Sequence, residues 1–204
     1  MNTLVIDSAT EACSVALFDG DSLIAGDCRV LGRGHAEQLV PMIQALPGKG
    51  RAERIAVALG PGSFTGVRVG LAAARALALA WQVELVGYPT LALIAAMAAA
   101  RHPGQALTVC TTGGHGEWFV QHFGPDGAAQ VALASLAPET ALAGAADLVA
   151  GSQAEALVAR RGSGTALLLW PDARAFALLD PALLSTDTTP LYGRAPDARL
   201  PGAA

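Results

Sequence analysis

The chain carries one lysine, Lys49, and its twelve arginines are scattered through 204 residues with a formal net charge of −4. Neutralising a nucleic-acid backbone takes clustered Lys and Arg, so a chain that grips nucleic acid unaided is not expected. Cysteine is scarce and odd in number: Cys13, Cys28 and Cys110 show no C-x-x-C spacing. Buried reduced thiols fit that pattern; a disulfide frame or a zinc site does not. Charged residues make up 15% and aromatics 5% of the chain, against 52% hydrophobic residues. A long apolar run is also missing. Residues 91–100 form the longest clean one, and 70–83 are broken by Arg75 and Gln82, whereas a bilayer crossing needs roughly 20 residues. Met1-Asn2-Thr3 leads into a strand with no basic stretch, so no signal peptide is expected and the cytoplasm is the default.

The length allows one large domain or two small ones. So greasy a chain often hides part of its surface against a partner, because monomers rarely leave large apolar patches open. Residues 4–6 and 12–18 read as strands, and the turn Asp19-Gly20-Asp21 leads into a third at 22–28. An Asp-Gly turn between apolar runs is a strong hairpin signal. Gly34 opens a helix through about 46, with Leu39, Ile43 and Leu46 on one stripe and Pro47-Gly48 ending it. A strand at 55–59, a helix at 65–81, a strand at 84–87 and a helix from Thr90, read as an N-cap, complete a β-β-β-α-β-α-β-α order over 1–100. After a linker at 101–105 a similar order restarts over 106–204. Its strands fall near 106–112, 117–123, 130–133 and 148–150, with helices from Pro138, at 153–161 and at 172–184. The tail from Thr188 reads as irregular. Two related α/β lobes follow, the second smaller.

The stretch Gly60-Pro61-Gly62-Ser63-Phe64-Thr65-Gly66 sits between a strand and a helix, the usual place of a phosphate cradle. It lacks the lysine of a Walker loop. It is one residue too long for a dinucleotide loop, and Pro61 removes one backbone N–H. A tight turn with Ser63 or Thr65 as cap fits, while the free N–H groups of the helix start leave room for a weakly held anion. Gly66, Gly70, Ala73, Ala74 and Ala78 recur at three- and four-residue spacing. Close packing inside the lobe explains that spacing, and so does a helix–helix docking face.

The other polar candidates have bland readings. Asp7, Ser8 and Thr10 suit a turn, although sugar kinases, actin and Hsp70-type ATPases place an Asp and a glycine-containing phosphate hairpin there, with Ala9 where their glycine falls. His35 has Leu39 where a second metal-binding His would stand, which leaves it as a cap or contact residue. His115 and His122 are seven apart and on opposite faces if both are in strand. Ser63 lacks the glycine spacing of a nucleophile elbow. No catalytic or metal set can be assembled.

Asp7-x-Ala9-Thr10-x-Ala12-Cys13-Ser14-Val15-Ala16-Leu17, His35-x-Glu37-x-Leu39-x-Pro41 and Gly60-Pro61-Gly62-Ser63-Phe64-Thr65-Gly66-Val67-Arg68 together resemble the TsaB (YeaZ) family. Gly116-Glu117-x-Phe119 and Pro190-x-Tyr192-x-Arg194 extend the match. The resemblance implies an actin/Hsp70-like (ASKHA, RNase H-like) two-lobed α/β fold with a degenerate, smaller second lobe. It implies a non-catalytic subunit that binds and activates a TsaD-type catalytic subunit, joined by a TsaE-type ATPase. That complex places threonylcarbamoyl on N6 of adenosine 37 in tRNAs reading codons that begin with A. It implies a homodimer when alone, tRNA contact only indirectly, no membrane, and no cofactor of its own, with ATP and a metal ion on other subunits or at the joint. Carried onto this chain, the partner surface falls on His35, Leu39, Ile43, Phe64, Gly66, Val69, Gly70 and Ala73. An anion or nucleotide remnant falls on Asp7, Thr10, Gly62, Ser63 and Arg68. The stretch Thr111-Thr112-Gly113-Gly114-His115 departs from the family's hairpin. The competing reading is an independent ATPase or kinase of the actin/Hsp70 superfamily; a peptidase is a third.

Overall fold

A computed structural model describes residues 1–193. The first half runs β1 (Asn2–Asp7), β2 (Ala12–Asp19), β3 (Ser22–Val30), α1 (His35–Ala45), β4 (Arg54–Ala58), α2 (Phe64–Trp81), β5 (Glu84–Tyr88) and α3 (Thr90–Arg101). The second runs β6 (Leu107–Thr112), β7 (Trp118–Phe123), β8 (Ala134–Leu136), α4 (Pro138–Ala141), β9 (Leu148–Ala150), α5 (Ala154–Arg161) and β10 (Thr165–Leu167). The sheets are ordered β3-β2-β1-β4-β5 and β10-β9-β6-β7-β8. Numbered within its own half, each reads 3-2-1-4-5. In both, an antiparallel meander is extended by parallel strands beyond its first strand. The two halves are copies of one topology. The second is reduced: β8, β9 and β10 have three residues each, against eight and nine in β2 and β3.

The apolar run at 91–100 lies in α3, which packs on β6 and β9 of the second sheet and on the 173–178 turn. Leu91, Leu93, Ile94, Ala95 and Ala98 are all buried. A helix covered on several sides needs no polar stripe, which accounts for its composition. The outer helices differ. α1 packs on β2 and α2 on β4, and the two touch each other.

Three expectations are corrected. The strand expected at 130–133 lies at Ala134–Leu136. The helix expected over 172–184 is two 3₁₀ turns, Ala173–Leu178 and Pro181–Leu183, with Asp172 and Asp180 accepting from the N–H groups of Arg174 and Ala182. Aspartates that bond the backbone two residues on favour such turns over helix, and Pro181 cannot continue one. Thr90 is the first helical residue rather than the cap; Pro89 stands at the cap. The Thr90 hydroxyl is buried with no hydrogen-bond partner among the described residues. Strand β10, which the sequence reading did not anticipate, pairs in parallel with β9 over three residues. The motif residue Arg194 lies outside the described residues.

After β10 the chain returns to the first lobe. The 173–178 turn packs on β1, β2, β3 and α3, Ser185 bridges Gly87 at the edge of β5, and the Leu191 N–H donates to the Leu59 carbonyl. Residues 173–191 therefore pack on the first lobe. The small lobe is closed by Arg161, whose guanidinium donates to the carbonyls of Ala145, Ala146, Asp147 and Ser163.

Candidate functional site

The glycine loop and the Asp7–Thr10 turn form one packed body. The Ser63 N–H donates to the Ala9 carbonyl at 2.7 Å, and the Ser8 hydroxyl donates to the Gly66 carbonyl at 2.8 Å. A Cβ on Gly62 would overlap the Ala9 carbonyl, and one on Gly66 would overlap the Ser8 carbonyl. These glycines exist so that the turn can lie against the loop. Ser63, one of the two expected caps, is the N-cap of α2, its hydroxyl accepting from the Gly66 N–H at 2.9 Å. Ser63→Ala is expected to cost about 1 kcal/mol in urea unfolding, the usual worth of such a cap.

The Ser63 and Gly66 N–H groups and the Ser8 hydroxyl are thus engaged within the chain. Thr10 is buried, its hydroxyl accepting from the Ala12 N–H. Asp7 is fully buried. Its carboxylate accepts from the Ala9 N–H at 3.0 Å and from the Tyr88 hydroxyl at 3.3 Å. Burial pushes the Asp7 carboxyl up to about 7, the two hydrogen bonds offset part of the rise, and the charge of Asp172 adds to it. Arg68 lies over the Phe64 ring, 3.4 Å from its centroid, and its Nε donates to the Tyr192 hydroxyl. Of the five residues expected to hold an anion or nucleotide, the structure joins Asp7, Thr10, Gly62 and Ser63 to the turn's own packing, while Arg68 is occupied with two exposed aromatic rings. The space beside Gly62 and Gly66 is taken by the Ala9 and Ser8 carbonyls, and no chemistry through ATP or a metal follows from this arrangement.

The eight expected partner residues divide by burial. Leu39 and Ile43 are core residues, 1% and 3% exposed. His35 is buried, its Nε2 lying 2.9 Å from the Thr10 carbonyl and 3.3 Å from that of Ala12. As both partners are acceptors, that nitrogen carries the hydrogen. Gly66 and Gly70 face inward, and a Cβ on Gly70 would lie 2.6 Å from the Ser8 hydroxyl oxygen. Val69 and Ala73 are half-buried, and Phe64 is exposed. The small residues at three- and four-residue spacing thus answer the first of the two explanations, close packing inside the lobe.

A different ridge faces out. Ala72, Ala76 and Ala80 are exposed at four-residue spacing, two positions on from the inner line Gly70, Ala74 and Ala78 and so about 200° round the helix. Leu79 beside them is 82% exposed, and Val40 on α1 is 49% exposed. By length and composition α2 could cross a membrane, but its inner stripe of Val67, Gly70, Leu71, Ala74 and Ala78 belongs to the lobe's interior. The ridge was legible as a second alanine period. Tyr88, which bonds Asp7, Ser14, which pairs with it across the ladder, and Phe176, which packs on Tyr88, had no local signal.

Cys13 and Cys110 are buried and Cys28 is half-buried, all three unpaired. Burial pushes their thiols up, to about 11 for Cys13 and about 12 for Cys28 and Cys110. His122 pairs with the Thr108 hydroxyl at 2.8 Å. His115 is not in strand but in the turn, at φ 58°.

Two lobes of one repeated 3-2-1-4-5 topology, joined by a buried helix, define the actin/Hsp70-like class. The family model described as TsaD, tRNA N6-adenosine threonylcarbamoyltransferase, matches residues 29–159, and the chain belongs to that family. It is 40% identical over 100 residues to the tRNA threonylcarbamoyladenosine biosynthesis protein TsaB of Escherichia coli, covering 47% of this chain and 43% of that one. The aligned stretch thus spans less than half the length of that relative. The solved structure of YeaZ from Pseudomonas aeruginosa superposes with a TM-score of 0.79 at 25% identity, covering 94% of this chain and 99% of that one. The ethanolamine utilization protein EutJ from Carboxydothermus hydrogenoformans shares the fold, with a TM-score of 0.51 at 13% identity over 88% of this chain and 90% of that one.

Proposed function

We propose that this chain is an accessory subunit in the biosynthesis of threonylcarbamoyladenosine on tRNA. In this reading it works in the cytoplasm by docking on a TsaD-type catalytic subunit, which acts at N6 of adenosine 37, and performs no chemistry itself. The observation that carries the reading is a division of labour around α2. The loop at its start spends its polar groups on the chain's own turn, while its far face leaves Ala72, Ala76, Leu79 and Ala80 in the open. A smooth alanine ridge lets a partner helix approach closely. Leu79, Val40 and Phe64 supply apolar area whose burial is favourable, and Arg68 and Arg75 supply charges at its margin. The same face would serve a second copy of the chain when the partner is absent. The TsaE-type ATPase joins the pair, ATP and a metal ion belong to the other subunits or to the joint, and tRNA is met through the assembly. The relatives' names support the pathway, and the family match supports the kinship with the proposed partner.

The test is to mix the purified chain with a TsaD-type protein and measure mass by light scattering on a sizing column. A one-to-one complex is expected; unchanged elution of both proteins overturns the reading. Titration of the lone chain with Mg-ATP in a calorimeter should give no heat of binding. Micromolar affinity would instead support the ATPase reading.

A further inference from the structure

The segment that returns from the second lobe packs on β1, the strand that Asp7 ends. Across the antiparallel ladder Asp7 is paired with Ser14, and Ser14 holds that segment. Its hydroxyl donates to the Pro171 carbonyl at 3.3 Å and accepts from the Ala173 N–H at 2.9 Å. On the other flank, the Tyr88 hydroxyl serves both Asp7 and the Ile6 carbonyl, each at 3.3 Å. The Tyr88 ring meets Phe176 of the returning segment edge-on at 5.6 Å. One buried carboxyl thus sits between two of the contacts that seat residues 171–185.

An ionised carboxylate accepts about four hydrogen bonds. Among the described residues Asp7 receives the Ala9 N–H and a share of the Tyr88 hydroxyl. The groups around it give no relief. Asp172, on the segment itself, is a second acid. Cys13 on β2, Cys28 on β3 and Tyr88 on β5 are groups that burial holds neutral, with an Asp7 charge adding to the effect. The nearby cations are committed: Arg174 to Asp172 at 2.7 Å and Arg29 to Asp27 at 2.7 Å. Residues 173–178 pack on β1 and the Asp172 charge adds to the cost of ionising Asp7, so lifting residues 171–185 removes part of what disfavours the charge.

We propose that Asp7 is a proton-operated latch: protonated, it leaves residues 171–185 seated on the first lobe, and ionised, it favours their release. Its carboxyl stands at about 7 with the segment seated, against an ordinary value of 3.8. The seated state therefore binds the proton more tightly. The advantage is complete below the ordinary value, shrinks as pH rises, and is spent once pH passes about 7. Where release returns Asp7 to its ordinary value, one proton of linkage raises the opening equilibrium by about 50-fold between pH 5 and pH 7, with a plateau above pH 8.

Hydrogen–deuterium exchange on the full chain reads this, with protection factors corrected for the intrinsic pH dependence of exchange. Peptides covering 171–185 should lose about 50-fold in protection from pH 5 to pH 7, while α5, which does not pack on Asp7, keeps its own. Asp7→Asn, which cannot ionise, should hold the segment seated with a flat profile. Three results overturn the latch: unchanged protection of 171–185 over that range, parallel loss in α5, or a wild-type profile in Asp7→Asn. If Asp7→Asn does not fold, the comparison of the two wild-type segments decides by itself.

Discussion

Valine in place of Gly66 is expected to remove about 3 kcal/mol or more of stability and to melt the start of α2. A Cβ there would overlap the Ser8 carbonyl and lie 2.6 Å from the Ser63 hydroxyl oxygen. The first obstacle is backbone, in a turn held on both sides by β1 and β2, so no rotamer change relieves it. Overpacking in a rigid core costs about 1–3 kcal/mol. Disturbing the Ser63 cap, whose acceptor bond runs to the Gly66 N–H itself, adds about 1 kcal/mol. Against a total stability of roughly 5–15 kcal/mol, that is a large share. Ala76→Val, on the outer face of the same helix, should stay within about 0.5 kcal/mol. Urea unfolding of the two variants checks the contrast. Equal stability would mean that the loop does not hold the turn as closely as described.

The same contact explains what the sequence could and could not reveal. Glycine, serine and small residues between a strand and a helix are written locally, so the loop, its cap and the helix were legible. Whether those glycines make room for a ligand or for another piece of chain is not local. It depends on Ser8 and Ala9, more than fifty positions away, being carried to the loop by the pairing of β1 with β4. The choice between an inner and an outer small-residue face had the same character. Both periods were present in α2, and the packing of the helix on β4 decides which is covered. Asp7 looked like a turn residue because Tyr88, which bonds it, comes from β5, and Phe176, which packs on Tyr88, comes from a segment expected to be helix. Two 3₁₀ turns built on Asp172 and Asp180 place Phe176 there. The duplicated topology, by contrast, could be read from element order alone, since two β-β-β-α-β-α runs in one chain leave few other arrangements.

The double substitution Ala72→Glu with Ala76→Glu is expected to weaken pairing with a TsaD-type partner by about 100-fold, close to 2.7 kcal/mol, and to leave the lobe folded. Both positions are exposed, so neither new side chain enters the core. The carboxylate at position 72 would fall four residues from Arg68 and three from Arg75, which offsets its repulsion of the one at position 76, four residues on. The helix's own stability should therefore fall by only a few tenths of a kcal/mol. The partner face is affected quite differently. An alanine ridge permits close helix approach because it has nothing to desolvate and little volume to displace. Two carboxylates there must either be buried without partners or hold the helices apart. Circular dichroism melting together with calorimetric titration of the partner separates the two effects. Full affinity in the double variant would move the docking surface off α2, whereas lost affinity with an unchanged melt places it on this ridge.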